Sequence, residues 1–90
     1  MRISEKKKEK IFEQILSTLF AVSPKPMFTS HIATEIARDE EFTKKLLTEL
    51  KLKKLIKEIT KNSEGVDYLR RIRWTLSDLA YTAYKTHQTN

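Results

Sequence analysis

Few of the side chains that carry chemistry in proteins occur here in workable combinations. Cysteine is absent and glycine occurs once, at Gly65. That excludes a disulfide scaffold, a thiolate metal site, a cysteine nucleophile and any glycine-rich phosphate loop. His31 and His87 stand far apart with carboxylates scattered around them, which is no metal-ligand spacing. Ser30 and His31 are chain neighbours, and neighbours do not make a nucleophile–base pair. The adjacent acids Asp39, Glu40 and Glu41 suit a helix cap and its dipole better than paired acid–base work. A chain of 90 residues also has little room for a substrate cavity. No catalytic residue, metal or cofactor is therefore expected. What remains is positive charge: 18 Lys and Arg against 12 Asp and Glu, net +6, with a pI near 9.7. A basic surface on a small domain favours a polyanion, chiefly nucleic acid or an acidic membrane face, and the alternative at this point is a solvated, salt-bridged exterior with no partner.

The elements that would position these cations can be read from apolar spacing. Ser4 is placed to cap a helix with Glu5 in its first turn. Ile11, Phe12, Ile15, Leu16, Leu19 and Phe20 then form one stripe over roughly four turns. Ser23-Pro24-Lys25-Pro26 breaks it as a stiff connector. Thr29 or Ser30 can cap a short second helix with Ile32, Ala33, Ile36 and Ala37 inside. Asp39 can cap a third, whose apolar side is Phe42, Leu46, Leu47 and Leu50, with Glu41, Lys44, Lys45, Thr48 and Lys51 on the wet side. Leu55 to Lys61 and Val66 to Leu76 read as an antiparallel hairpin around Asn62-Ser63-Glu64-Gly65, and Tyr68, Ile72, Trp74 and Leu76 alternate along its second strand. Ser77 caps a last helix holding Leu79, Ala80, Ala83 and Tyr84, and the polar tail after Thr86 is expected to fray.

With 39% hydrophobic and 33% charged residues, the chain is polar yet clusters its apolar residues well enough to fold. It reads as a single domain over residues 1–90, with a core of about 11–84 and flexible ends. No apolar run approaches the roughly 20 residues of a membrane span and no signal peptide is visible, so a cytoplasmic location is expected. Abundant Lys, Glu and Ile with scarce Asn, Gln and Gly hint at a heat-adapted, archaeal-like source.

The expected class is mainly α with a small β-hairpin, in the order α-α-α-β-β-α. That order, with particular residues, resembles the winged helix-turn-helix proteins. Ser30-His31-Ile32-Ala33-Thr34-Glu35-Ile36-Ala37 resembles their first helix-turn-helix helix. Thr43-Lys44-Lys45-Leu46-Leu47-Thr48-Glu49-Leu50 followed by Leu55-Ile56 is similar to a recognition helix running into a wing strand. Arg73-Trp74-Thr75-Leu76-Ser77 resembles the end of the second wing strand in small bacterial and archaeal regulators of the MarR and PadR sort. The likeness spans about Ile11 to Tyr84. Two positions depart from the pattern: Ser77 stands where a threonine is usual, and Lys53-Lys54 replace the customary glycine. The third helix is therefore expected to run on, or to end without a left-handed cap.

The resemblance implies a transcriptional regulator that binds double-stranded DNA. The third helix would enter the major groove, with Thr43, Lys44, Lys45, Thr48 and Lys51 reaching phosphates or base edges. Glu49 would accept from cytosine or pair along the helix with Lys45 or Lys53. Lys61, Arg71 and Arg73 of the wing would hold flanking backbone, with Arg71 and Arg73 exposed together. Thr29, Ser30, His31 and Lys25 would meet a phosphate at the start of the second helix. Such regulators usually act as two-fold dimers, and Phe12 and Leu16 with Leu79, Tyr81 and Tyr84 offer a homodimer interface, or else close the monomer's core. No small-molecule ligand is inferable. Two alternatives remain open: a winged helix used for protein interaction or assembly, and a plasmid or viral partition or architectural DNA-binding protein.

Overall fold

The computed structural model describes residues 4–59 and 72–88. Seven elements follow in order: α1 (Glu5–Val22), β1 (Met27–Phe28), α2 (Thr29–Glu35), α3 (Glu40–Leu52), β2 (Ile56–Ile59), β3 (Arg73–Leu76) and α4 (Asp78–Gln88). Short polar side chains set the starts of three helices by accepting an otherwise unpaired amide. Ser4 Oγ accepts from the Lys7 amide at 3.2 Å, Asp39 Oδ1 from Phe42 at 2.7 Å, and Ser77 Oγ from Ala80 at 3.1 Å. The second helix departs from this rule. Extended Phe28 precedes Thr29 and no side chain caps the helix.

Both helices of the helix-turn-helix end in the same way. Ala37 has φ 56° and Lys54 has φ 63°, the left-handed region that normally favours glycine. Around Lys54, the Leu55 amide bonds the Leu50 carbonyl at 3.0 Å and the Lys54 amide bonds Lys51 at 2.9 Å. Around Ala37, Arg38 bonds Ala33 at 3.0 Å and Ala37 bonds Thr34 at 3.2 Å. These are paired Schellman bonds, which satisfy the last carbonyls of a helix. The expectation for the third helix is thus corrected: it stops at Leu52 with a left-handed cap, built on lysine. Ala37 is also corrected, since it lies in this exposed turn and outside α2.

The sheet is larger than a hairpin. Its order is β1-β3-β2, all antiparallel. Met27 pairs with Trp74 and Phe28 with Arg73 on one side of β3, while Glu58 pairs with Trp74 and Ile59 with Arg73 on the other. Met27 and Phe28, which follow the connector and belong to no element expected from the sequence, therefore form an edge strand, and β3 is central.

One core lies between the sheet and the helices. Ile11, Phe12, Ile15 and Leu19 of α1 meet Ile32 and Ile36, then Leu46, Leu47 and Leu50 of α3, Ile56, Trp74, Leu76, and Ala80 of α4. Alternation along β3 sends Trp74 and Leu76 inward and leaves Arg73 and Thr75 half-buried on the other face. The Trp74 indole N–H, which burial would otherwise strand, donates to Thr29 Oγ1 at 2.8 Å. The last helix continues to Gln88, beyond the expected frayed point at Thr86. Among the described residues no helix is long and apolar enough to cross a membrane.

Candidate nucleic-acid interface

The outer side of α3 follows from its inner side. Thr43, Leu46, Leu47 and Leu50 are buried, and at 3.6 residues per turn the opposite arc of about 120° carries Glu41, Lys44, Lys45, Thr48, Lys51 and Leu52. All six are exposed. Three ammonium groups thus project from one helix face with little to hold them back. Among the described residues Lys51 alone of the three has an acid within reach, Glu58 on β2 at 3.5 Å. Thr48 gives its hydroxyl proton to the Lys44 carbonyl at 2.9 Å, which leaves its lone pairs and methyl group outward.

Thr43 does not belong to this face. It is fully buried, and its hydroxyl donates to the Asp39 carbonyl at 2.8 Å. It stands three, four and seven residues before Leu46, Leu47 and Leu50 and so shares their buried face, which removes it from the candidate contacts. Glu49 is also reassigned. Its Oε1 accepts from Lys8 Nζ of α1 at 2.7 Å, in place of a base or a lysine of its own helix. That hydrogen bond, more than the general attraction of Glu49 and Glu5, raises the Lys8 pKa above its usual 10.5.

At the start of α2, Ser30 and His31 are exposed, with the His31 ring edge-on to Phe28 at 5.6 Å. Thr29 is buried and occupied by the indole of Trp74, so it too is removed. Lys25 is exposed in the connector before β1. Of the wing cations, Lys61 and Arg71 lie outside the described residues. Arg73 is half-buried, where exposure was expected. The third strand explains this, since Phe28 and Ile59 flank Arg73 on both sides.

Two exposed residues escaped the sequence reading. Leu52 is 75% exposed and falls mid-arc, a position that its spacing of two from Leu50 already gives. Arg38 is exposed at the turn between α2 and α3, its guanidinium 5.9 Å from the Phe42 ring.

The residues assigned to a dimer interface divide. Phe12 is a core residue and is corrected to that role. Its ring lies beneath two lysines, Lys53 Nζ at 5.3 Å and Lys8 Nζ at 5.8 Å. Leu16 is half-buried against the core. Leu79 is 75% and Tyr81 36% exposed. Tyr81 and Tyr84 both pack on Phe20, each at 5.4 Å between ring centres. Burial, and secondarily the Glu13 carboxylate, raise the Tyr84 pKa above 10.0.

An open groove of about 1170 Å³ runs along α1, lined in part by Lys7, Lys10, Gln14, Arg38 and Tyr84. No pocket was expected from the sequence. Among the described residues, no three His, Asp or Glu side chains come close enough to hold a metal ion.

This arrangement is the winged-helix fold of the MarR-type regulators. No family model matches the chain, and no curated protein matches it in sequence. Solved structures do match. The Staphylococcus aureus MepR–DNA complex superposes with a TM-score of 0.68 at 22% identity, over 93% of this chain and 73% of that one. MepR described as a transcription regulator of the multidrug efflux pump MepA gives 0.65 at 22%, over 93% and 64%. The zinc-responsive MarR family member ZitR of Lactococcus lactis gives 0.63 at 21%, over 99% and 54%. The chain spans about half of the length of ZitR and 62 to 73% of MepR.

Proposed function

We propose that this chain is a DNA-binding transcription regulator that lays α3 in the major groove of a duplex. One observation carries the reading: Lys44, Lys45, Thr48 and Lys51 are exposed together on the helix that a winged-helix fold presents, in a fold shared with MepR crystallised on DNA. Lysines there contact phosphates or guanine acceptors, and Thr48 meets a phosphate or a thymine methyl. Glu41 shares the arc and opposes phosphate, so affinity rests on the lysines. Ser30, His31 and Lys25 touch the flanking backbone, as do Lys61, Arg71 and Arg73 from the wing side.

The same proposal makes residues 1–90 one domain that works as a homodimer in the cytoplasm, and it assigns no catalytic step. Leu79 and Tyr81 of α4, with Tyr84 and Leu16 at their margin, form the contact between copies. A dimer places two recognition helices about one DNA turn apart, and it supplies the affinity that a single small module lacks.

The test is duplex binding by the double variant Lys44→Ala, Lys45→Ala. Its affinity should fall at least tenfold with the melting temperature unchanged, because both side chains are exposed. An unaltered affinity would remove α3 from the interface.

A further inference from the structure

We infer that Glu49 and Lys8 are positioning residues for DNA reading: they fix the roll of α3 about its own axis by clasping it to α1. This rests on the proposed DNA-binding function and names how its reading face is held.

Four side chains on two helices interlock. Lys8 and Phe12 stand one turn apart on α1, and Lys53, the residue that caps the end of α3, stands one turn after Glu49. Lys8 Nζ donates to Glu49 Oε1 at 2.7 Å. The same ammonium lies 5.8 Å from the Phe12 ring, and Lys53 Nζ lies 5.3 Å from it. Glu49 Oε2 is buried without a hydrogen-bond partner among the described residues. A carboxylate half-enclosed in this way holds its ammonium more firmly than two freely hydrated charges do.

Roll matters because the face that reads is narrow. The leucines beneath α3 pack through non-directional contact. A rotation of about 20° on a radius of 5–6 Å moves the helix surface by about 2 Å. Polar recognition tolerates about 0.5 Å. A 2.7 Å ion pair is directional where the leucine packing is not. It grips α3 on the flank of the reading face, about 100° round the helix from Thr48 and about 140° from Lys44, so it can set their aim from beside the ligand.

The experiment uses a duplex selected from a random pool by the unmodified chain, and a scrambled duplex of equal length. The ratio of the two affinities is measured at one salt concentration for Glu49→Gln, for Lys8→Met and for the reversed pair Lys8→Glu, Glu49→Lys. The single variants change net charge in opposite directions. A positioning role lowers the ratio about tenfold in both, and the reversed pair restores most of it. Ratios that stay within twofold of the original overturn the inference, whatever the melting temperatures do. Affinities that simply rise in Glu49→Gln and fall in Lys8→Met at constant ratio also overturn it, since that is long-range charge alone. Failure of the unmodified chain to bind any duplex overturns the DNA-binding reading and this inference with it. Binding with an insensitive ratio overturns this inference alone.

Discussion

Trp74 Nε1 donates a 2.8 Å hydrogen bond to Thr29 Oγ1 inside the protein, tying the central strand to the first residue of α2. Both residues are buried, so neither polar atom has water to fall back on. Thr29→Val keeps the shape and removes the acceptor, and an unpaired buried donor costs about 1–3 kcal/mol. Urea unfolding followed by Trp74 fluorescence should show that loss. Thr29→Ser, which retains the hydroxyl, should give back most of it.

The two left-handed caps make a prediction of opposite sign. Ala37 and Lys54 hold positive φ and each carries a Cβ that this conformation strains by about 1–2 kcal/mol. Glycine relieves the strain but is freer when unfolded. Ala37→Gly and Lys54→Gly should each stabilise the fold by about 0.5–1 kcal/mol in chemical denaturation, and together their effects should add, the sites being separate.

The pH dependence falls in the alkaline range. The Lys8 pKa is raised by its hydrogen bond to Glu49, and the Tyr84 pKa is raised by burial. A raised folded-state pKa means stability that is complete below the unfolded value and lost as pH rises through the folded one. The melting temperature should therefore decline above about pH 10 for both reasons, with the half-buried, solvent-screened Lys8 ammonium contributing the smaller part. Tyr84→Phe should flatten the tyrosine share of that decline in thermal melts recorded across pH.

A fourth prediction concerns α4. Leu79 is 75% exposed and outside the core cluster, so Leu79→Glu should leave the monomer's fold intact. If α4 joins two copies, light scattering should show the mass falling from about twice 10.6 kDa to that of one chain.

Local signals served the sequence reading well. Ser4, Asp39 and Ser77 cap the helices assigned to them, because a cap bonds amides only two or three residues away. Alternation placed Trp74 and Leu76 inward. The features that escaped it are mostly non-local. Two residues, Met27 and Phe28, carry no strand periodicity, and they form β1 only because β3 comes to meet them. Glu49 has its partner 41 positions away, beyond any helical pairing rule. Lys54 takes a glycine's conformation because Leu55 has to turn back to bond Leu50. Thr43 is the local exception: it stands three, four and seven residues before the buried Leu46, Leu47 and Leu50, a helical spacing that its polar type and the two lysines after it obscured.

The central claim is tested most directly by fluorescence anisotropy of the intact chain with duplex DNA across a salt series. Each phosphate neutralised by a lysine or arginine releases counterions, so log affinity falls linearly with log salt, with a slope of about −0.9 per contact. A slope equal to several contacts is expected, reduced by about two contacts for each bound chain in the Lys44→Ala, Lys45→Ala variant. No binding at low salt, despite a net charge of +6, would contradict it.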